Sequence, residues 1–282
     1  MSMTPFRYAR PMALRDALAD LTEHPEARVL AGGMSLLPLM KMDLAAPERL
    51  IDLGRVQELQ GITETPDGIR IGAMTRHFEL ASDEVVGRCA PIVAQAAAHV
   101  GDPQVRHRGT IGGSLAHADP AADLPAAMLA ADAVIEAASA DGSRMIPAAD
   151  FFVGPLVTEL RPGEMLVAVR IPMLQGRRQH YEKVPHPASG YAVVGVAISL
   201  AVAGGVVQEA RIGVTGVAGH AYRAHAAERA LEGEGLNPGV IAKASSLAAD
   251  GEEILGDAVY ASAEYRRHLL RVTLSRALQR VS

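Results

Sequence analysis

Apolar residues along the chain change period several times, and each change marks an element. Over 13–22 they recur at helical spacing, with Leu14, Ala17, Leu18 and Leu21 on one face, which predicts an amphipathic helix. Residues 29–31 form a short apolar run, 36–44 return to helical spacing interrupted by Pro38, and 49–53 read as a second strand. This is a small βαβ-like unit with a glycine pair at a strand end, where open α/β layers bind ligands. From Gly61 the period drops to two. Stretches 61–64 and 69–72 predict a hairpin about Asp67-Gly68, and 133–137 with 144–146 predict another about Asp141-Gly142. Helices are predicted over 77–83, 91–99 and 123–131, and an alternating strand over 166–172 closed by a proline. Residues 175–180 are polar and contain Gly176, so they read as a linker. Beyond it come strands at 181–184, 192–201 and 206–214, then helices at 223–231, 238–249 and 264–281. The imperfect alternation of 192–201 predicts burial on both faces.

A chain of 282 residues divides naturally into two or three subdomains, and 49% hydrophobic residues suffice for sizeable cores. A net charge of −5 argues against nucleic acid or an acidic membrane surface as partner. No apolar run is long enough to span a bilayer, and residues 1–8 lack an apolar signal core. Cys89 is the single cysteine, which excludes an internal disulfide and excludes iron–sulfur ligation by this chain alone. The compartment expected from this usage is the cytosol. With six Tyr, four Phe and no Trp, the core must be aliphatic, and a tyrosine near a ligand loop stands out.

Two glycine pairs carry the candidate chemistry. Gly32-Gly33 follows Val29-Leu30-Ala31 and precedes Met34-Ser35-Leu36; Gly112-Gly113 follows Thr110-Ile111 and precedes Ser114. Adjacent glycines leave successive N–H groups uncovered and free to form a concave nest for a phosphate oxygen. One pair serves a tight turn equally well. Two pairs, each followed by a serine, point more strongly to a nucleotide-type cofactor.

Several motifs in order extend this. They are Ala31-Gly32-Gly33-Met34-Ser35-Leu36-Leu37-Pro38, Ile71-Gly72-Ala73-Met74-Thr75, Gly101-Asp102-Pro103-Gln104-Val105-Arg106, Thr110-Ile111-Gly112-Gly113-Ser114 and Asp119-Pro120-Ala121-Ala122-Asp123-Leu124-Pro125. Together they resemble the FAD-binding medium subunit of molybdenum-containing hydroxylases, the group of the carbon monoxide dehydrogenase flavoprotein and the xanthine dehydrogenase FAD domain. The resemblance spans essentially the whole chain. It implies an α+β fold: a two-lobed α/β FAD-binding domain of PCMH type over 1–175, with lobes of about 1–56 and 57–175, then a C-terminal domain over 176–282. The latter would hold a small antiparallel sheet and a helical bundle.

The resemblance also implies an electron-transfer role with non-covalent FAD. Molybdopterin would sit in a large partner subunit and [2Fe–2S] clusters in a small one, in a dimer of heterotrimers, with an external electron acceptor. Residue by residue, it implies that Ala31, Gly32, Gly33, Met34, Ser35 and Leu36 wrap the FAD pyrophosphate. Thr110, Ile111, Gly112, Gly113 and Ser114 would form a second FAD loop, with Ser114 where the family often has Asn. Asp123 would contact the adenosine side, while also suiting a helix N-cap before Leu124-Pro125. Leu166 would touch flavin or adenine, Lys183 would lie close to the flavin ring, and Tyr191 would stack beside it. Residues 185–190, Pro-His-Pro-Ala-Ser-Gly, depart from the basic pattern common in the group.

Arg106, His107 and Arg108 form a basic cluster that suits a partner, the cofactor or a solvated turn. His77, His99 and His117 lack metal-ligand spacing, and no catalytic triad stands out. Two rivals stay open: a free-standing FAD-dependent oxidoreductase, and a cofactor-less scaffold whose loops only join partners.

Overall fold

The computed structural model describes residues 4–282. The reading of the extreme N-terminus therefore lies in part, at Met1–Met3, outside the described residues. The first unit holds β1 (Arg7–Ala9), α1 (Leu14–Glu23), β2 (Arg28–Leu30), α2 (Leu36–Lys41) and β3 (Arg49–Asp52). Its strands form a parallel sheet in the order β1-β3-β2. Ala17, Leu18 and Leu21 of α1 bury the predicted face against Ile51 and Leu53. Pro38 falls in the first turn of α2, where a missing N–H costs nothing, and the helix stops at Lys41.

The second unit begins with β4 (Ile62–Thr65) and β5 (Gly68–Gly72), the expected hairpin. A run of helices follows: α3 (His77–Ser82), α4 (Glu84–Cys89), α5 (Pro91–Ala98), α6 (Pro103–Arg108), α7 (Ile111–His117) and α8 (Asp123–Ala130). Then come β6 (Val134–Ser139), β7 (Gly142–Pro147), α9 (Ala148–Phe151), β8 (Phe152–Gly154), β9 (Val157–Thr158) and β10 (Met165–Pro172). Five of these strands make an antiparallel sheet in the order β4-β5-β10-β6-β7. Short helices start where the sequence supplies caps. Asp83 accepts the Val85 and Val86 N–H groups, and Asp102 accepts Val105 N–H ahead of Pro103.

The third unit is an antiparallel sheet of β11 (Arg178–Pro185), β12 (Ala192–Ala203), β13 (Val206–Thr215) and β14 (Tyr222–Arg223). Helices α10 (His225–Leu231), α11 (Pro238–Ser246) and α12 (Ala263–Val281) complete it. The expected linker is shorter than 175–180, because Arg178–His180 already pair in β11. β12 is buried from Ala192 to Leu200, consistent with both faces being covered.

Helix α8 joins the second and third units. All eight of its residues are buried. It packs on β12 and β13 closely enough that a Cβ on Gly213 would collide with the Ala126 carbonyl. Asp123 is not its N-cap: Ala122 holds that position, and Asp123 is the first helical residue. Among the described residues no helix is long and apolar enough to cross a membrane.

Candidate cofactor site

The first glycine pair lies in the turn between β2 and α2. Gly33 has φ +75°, in the left-handed region that glycine reaches without strain. Gly32 has a different reason. A Cβ there would run into the Arg108 carbonyl oxygen and come within 2.8 Å of Gly109 Cα, so its absence lets the turn lie flat on that segment. The backbone N–H groups of Ala31, Gly32, Gly33, Met34, Ser35 and Leu36 find no acceptor among the described residues. The first N–H with an intrahelical partner is that of Leu37, which donates to the Gly33 carbonyl at 3.2 Å. A run of free donors converging on a helix start is a site for an anionic oxygen.

The second pair is not a loop. Thr110 caps α7, and the glycines form its first turn. Ile111 N–H donates to the Thr75 carbonyl and Gly112 N–H to the Ala73 carbonyl, each at 2.9 Å. Gly113 N–H donates to Thr110 Oγ1 at 3.1 Å, and Ser114 N–H to the Thr110 carbonyl at 3.0 Å. The four N–H groups from Ile111 to Ser114 are therefore consumed inside the protein. These glycines serve close approach instead: a Cβ on Gly112 would lie 2.6 Å from that of Ala73. What this turn presents outward is bare backbone at Gly113 and the Ser114 hydroxyl.

The two turns lie against each other, a Cβ on Gly113 being 3.5 Å from that of Ala31, and together they line a cleft of about 680 Å³. Ala31 to Leu36, Thr110, Gly112, Gly113, Ser114, Asp123, Leu166 and Tyr191 all line it. Ile111 does not; it is fully buried in the core behind α7. Lys183 does not either. Its side chain is 1% exposed, and its ammonium is 2.8 Å from Asp123 and donates to the His99 carbonyl at 2.9 Å. Tyr181 donates to the same carboxylate at 2.6 Å. Asp123 and Lys183, expected at the adenosine and flavin ends of one cofactor, are thus an ion pair, with Asp123 at the cleft wall and Lys183 behind it. Burial pushes the Asp123 carboxyl above the usual carboxylate range, while the Lys183 ammonium and the Tyr181 hydroxyl pull it back. Burial, followed by the Asp123 charge, raises the Tyr181 phenol well above its ordinary value.

His77, read as structural, also lines the cleft. It is 3% exposed, and its buried Nδ1 has no hydrogen-bond partner. Burial, with the Arg106 charge behind it, pushes its pKa down to about 4, so the ring is neutral near pH 7. The basic cluster turns away. Arg106 donates to the Val100 and Gly101 carbonyls at 3.0 and 3.1 Å, and His107 stacks on Phe78 at 4.3 Å. Cys89 is buried. No cluster of His, Cys, Asp and Glu among the described residues is arranged to hold a metal.

The cleft fits a dinucleotide. It offers free N–H groups for a pyrophosphate, a glycine contact no side chain could occupy, and apolar walls from Leu39, Met165 and Leu166 for flat rings. The family described as the FAD binding domain in molybdopterin dehydrogenase matches residues 4–174. The family of the CO dehydrogenase flavoprotein C-terminal domain matches residues 179–281. The chain is 39% identical over 279 residues to the carbon monoxide dehydrogenase medium chain of Afipia carboxidovorans, covering 98% of this chain and 96% of that one. It is 34% identical over 281 residues to the glyceraldehyde dehydrogenase medium chain of Sulfolobus acidocaldarius, covering 98% of each. Its fold superposes on a chain of cyanide-inactivated Cu,Mo-carbon monoxide dehydrogenase with a TM-score of 0.96, at 38% identity, covering 100% of this chain and 99% of that one. The chain therefore belongs to the FAD-binding medium subunits of the molybdenum hydroxylase family.

Proposed function

We propose that this protein is the electron-transfer subunit of a molybdenum hydroxylase, taking electrons from [2Fe–2S] clusters of a small partner subunit and delivering them to an external acceptor. The observation that carries the FAD assignment is that residues Ala31 to Leu36 line the cleft with N–H groups that find no acceptor among the described residues. Bound FAD would supply the exchange between single electrons and electron pairs. The chain's own residues bind and orient it. The first glycine turn would hold the pyrophosphate, and Ser114 would offer one further hydrogen bond from the neighbouring turn. Leu166 and Tyr191 would flank the rings. Asp123 keeps its carboxylate at the cleft wall because Tyr181 and Lys183 hold it from behind. No acid or base chemistry on a substrate is asked of the chain.

The remaining parts of the proposal are a boundary near residue 176 between the FAD-binding and C-terminal domains, assembly as a dimer of heterotrimers, and a cytosolic location. Purification with the native partners tests the core of it, using visible absorption, acid release of the chromophore and chromatography. Free FAD together with cluster absorbance, and flavin bleaching when the partners receive substrate electrons, is the expected result. No flavin even after incubation with excess FAD overturns the site. FAD with no partners and no clusters overturns the electron-transfer role in favour of a free-standing oxidoreductase.

A further inference from the structure

The turn that brings Tyr191 to the cleft is built around one histidine. At its base, His186 N–H donates to the Tyr191 carbonyl at 2.7 Å, and Gly190 N–H donates to the His186 carbonyl at 2.8 Å. Its interior is filled by the His186 side chain, whose Nδ1 accepts Ala188 N–H at 3.2 Å and Ser189 N–H at 3.4 Å. Asn or Asp ordinarily does this work, accepting N–H groups two and three residues on. Pro185 and Pro187 flank the histidine, so the turn draws few N–H bonds from elsewhere.

The ring is anchored on its other side. It packs against Tyr260 with centroids 4.4 Å apart. Tyr260 N–H donates to Asp257, whose carboxylate pairs with Arg266 at 2.8 Å. Arg266 also donates to the Gly216 carbonyl, and Gly216 N–H donates to Pro120 beside the cleft residue Asp119. The turn is thus tied through its histidine to α12 and to the cleft-lining segment at Asp119. Ser189, Gly190 and Tyr191 are themselves cleft-lining, and Tyr191 keeps 43% of its surface exposed.

We propose that His186 is a positioning residue that sets Tyr191 over the cofactor cleft, and that protonation of its Nδ1 releases the turn. Both side-chain bonds need a lone pair on Nδ1, so they require the neutral ring with its proton on Nε2. Adding a proton turns the acceptor into a donor facing two N–H groups. The groups packed against the imidazole are the Tyr260 ring and the backbone of its own turn. The charged groups on the elements around it are the Asp257–Arg266 pair behind Tyr260, and Asp119 and Asp123, which act on Tyr191. The proposal rests on the cleft being the FAD site, and a complex without flavin would fail that assignment first.

The test uses the FAD-loaded complex and reads iodide quenching of flavin fluorescence from about pH 8 to about pH 5.5, across the imidazole range. The wild-type quenching constant is expected to rise several-fold, up to about tenfold, on acidification, the scale set by two backbone hydrogen bonds. His186→Asn keeps a non-titrating acceptor and should stay at the alkaline value throughout. His186→Ala should show the acid value at both ends, and Tyr191→Ala should remove the pH response. A flat wild-type profile, or His186→Asn titrating as wild type does, overturns the proposal.

Discussion

Gly32→Ala puts the site geometry to its hardest test. The added methyl would meet the carbonyl oxygen and carbon of Arg108 and the Cα of Gly109, the last at 2.8 Å. All are backbone atoms, so no side chain can swing aside, and the two touching turns must separate. Overpacking of this kind costs about 1–3 kcal/mol. If the separation is felt by a ligand resting on both turns, FAD affinity falls by about five- to 150-fold. The apo protein should lose only roughly 2–6 °C in Tm. The assay is titration of apo protein with FAD by fluorescence, with calorimetric unfolding of the same sample. Gly113→Ala is the internal control. Its methyl would meet the Thr110 side-chain oxygen at 2.9 Å and the Ala31 methyl at 3.5 Å, a contact that turning the Thr110 side chain relieves at the expense of its cap on Gly113 N–H. Its loss of affinity should be clearly smaller. Unchanged FAD affinity in Gly32→Ala, whatever happens to Tm, would mean that the two turns do not grip one ligand.

Three further outcomes are expected. Lys183→Met leaves Asp123 buried with only Tyr181 for company and should destabilise the protein by about 3–5 kcal/mol in urea unfolding, whereas the double change with Asp123→Leu should recover most of it. Recovery failing would show that the pair does more than balance charge. His77 is held neutral with a depressed pKa, so its contribution to stability is present above pH 6.5 and lost as pH falls toward about 4. The loss approaches about 3 kcal/mol, and His77→Gln should flatten that acid limb; an unchanged slope would assign it to other groups. Thr110→Val removes the acceptor for Gly113 N–H and should cost about 1 kcal/mol by denaturant unfolding, with a matching loss of FAD affinity if the α7 start shapes the cleft.

The first glycine turn was legible because a strand run, two glycines and a helix-spaced run follow one another within a few residues. The second reads as a loop but forms the first turn of α7, for an instructive reason. Glycine weakens helices by roughly 1 kcal/mol each, so a pair reads as a loop. Here burial of α7 against Ala73 and the Thr110 cap outweigh that preference. β1 left no signal, since Arg7-Tyr8-Ala9 shows no alternation and is a strand only because distant β3 accepts it. The Asp123–Lys183 pair joins residues 60 positions apart, and no local pattern announces it. Motif matching gave each residue a role but not the knowledge that the two touch. The His186 cap was hidden too, because histidine is not a customary residue for that turn.

The complete burial of α8 bears on how such a chain can evolve. Split at the junction with β11, the N-terminal piece would expose an apolar helix face meant for β12 and β13 and an aspartate stripped of its lysine and tyrosine. The C-terminal piece would carry Gly213 as a notch with nothing to fill it. Neither fragment is a free module to be shuffled onto other partners. Inheritance must keep the two halves in one reading frame, or preserve a dock between separate polypeptides as tight as the one seen here.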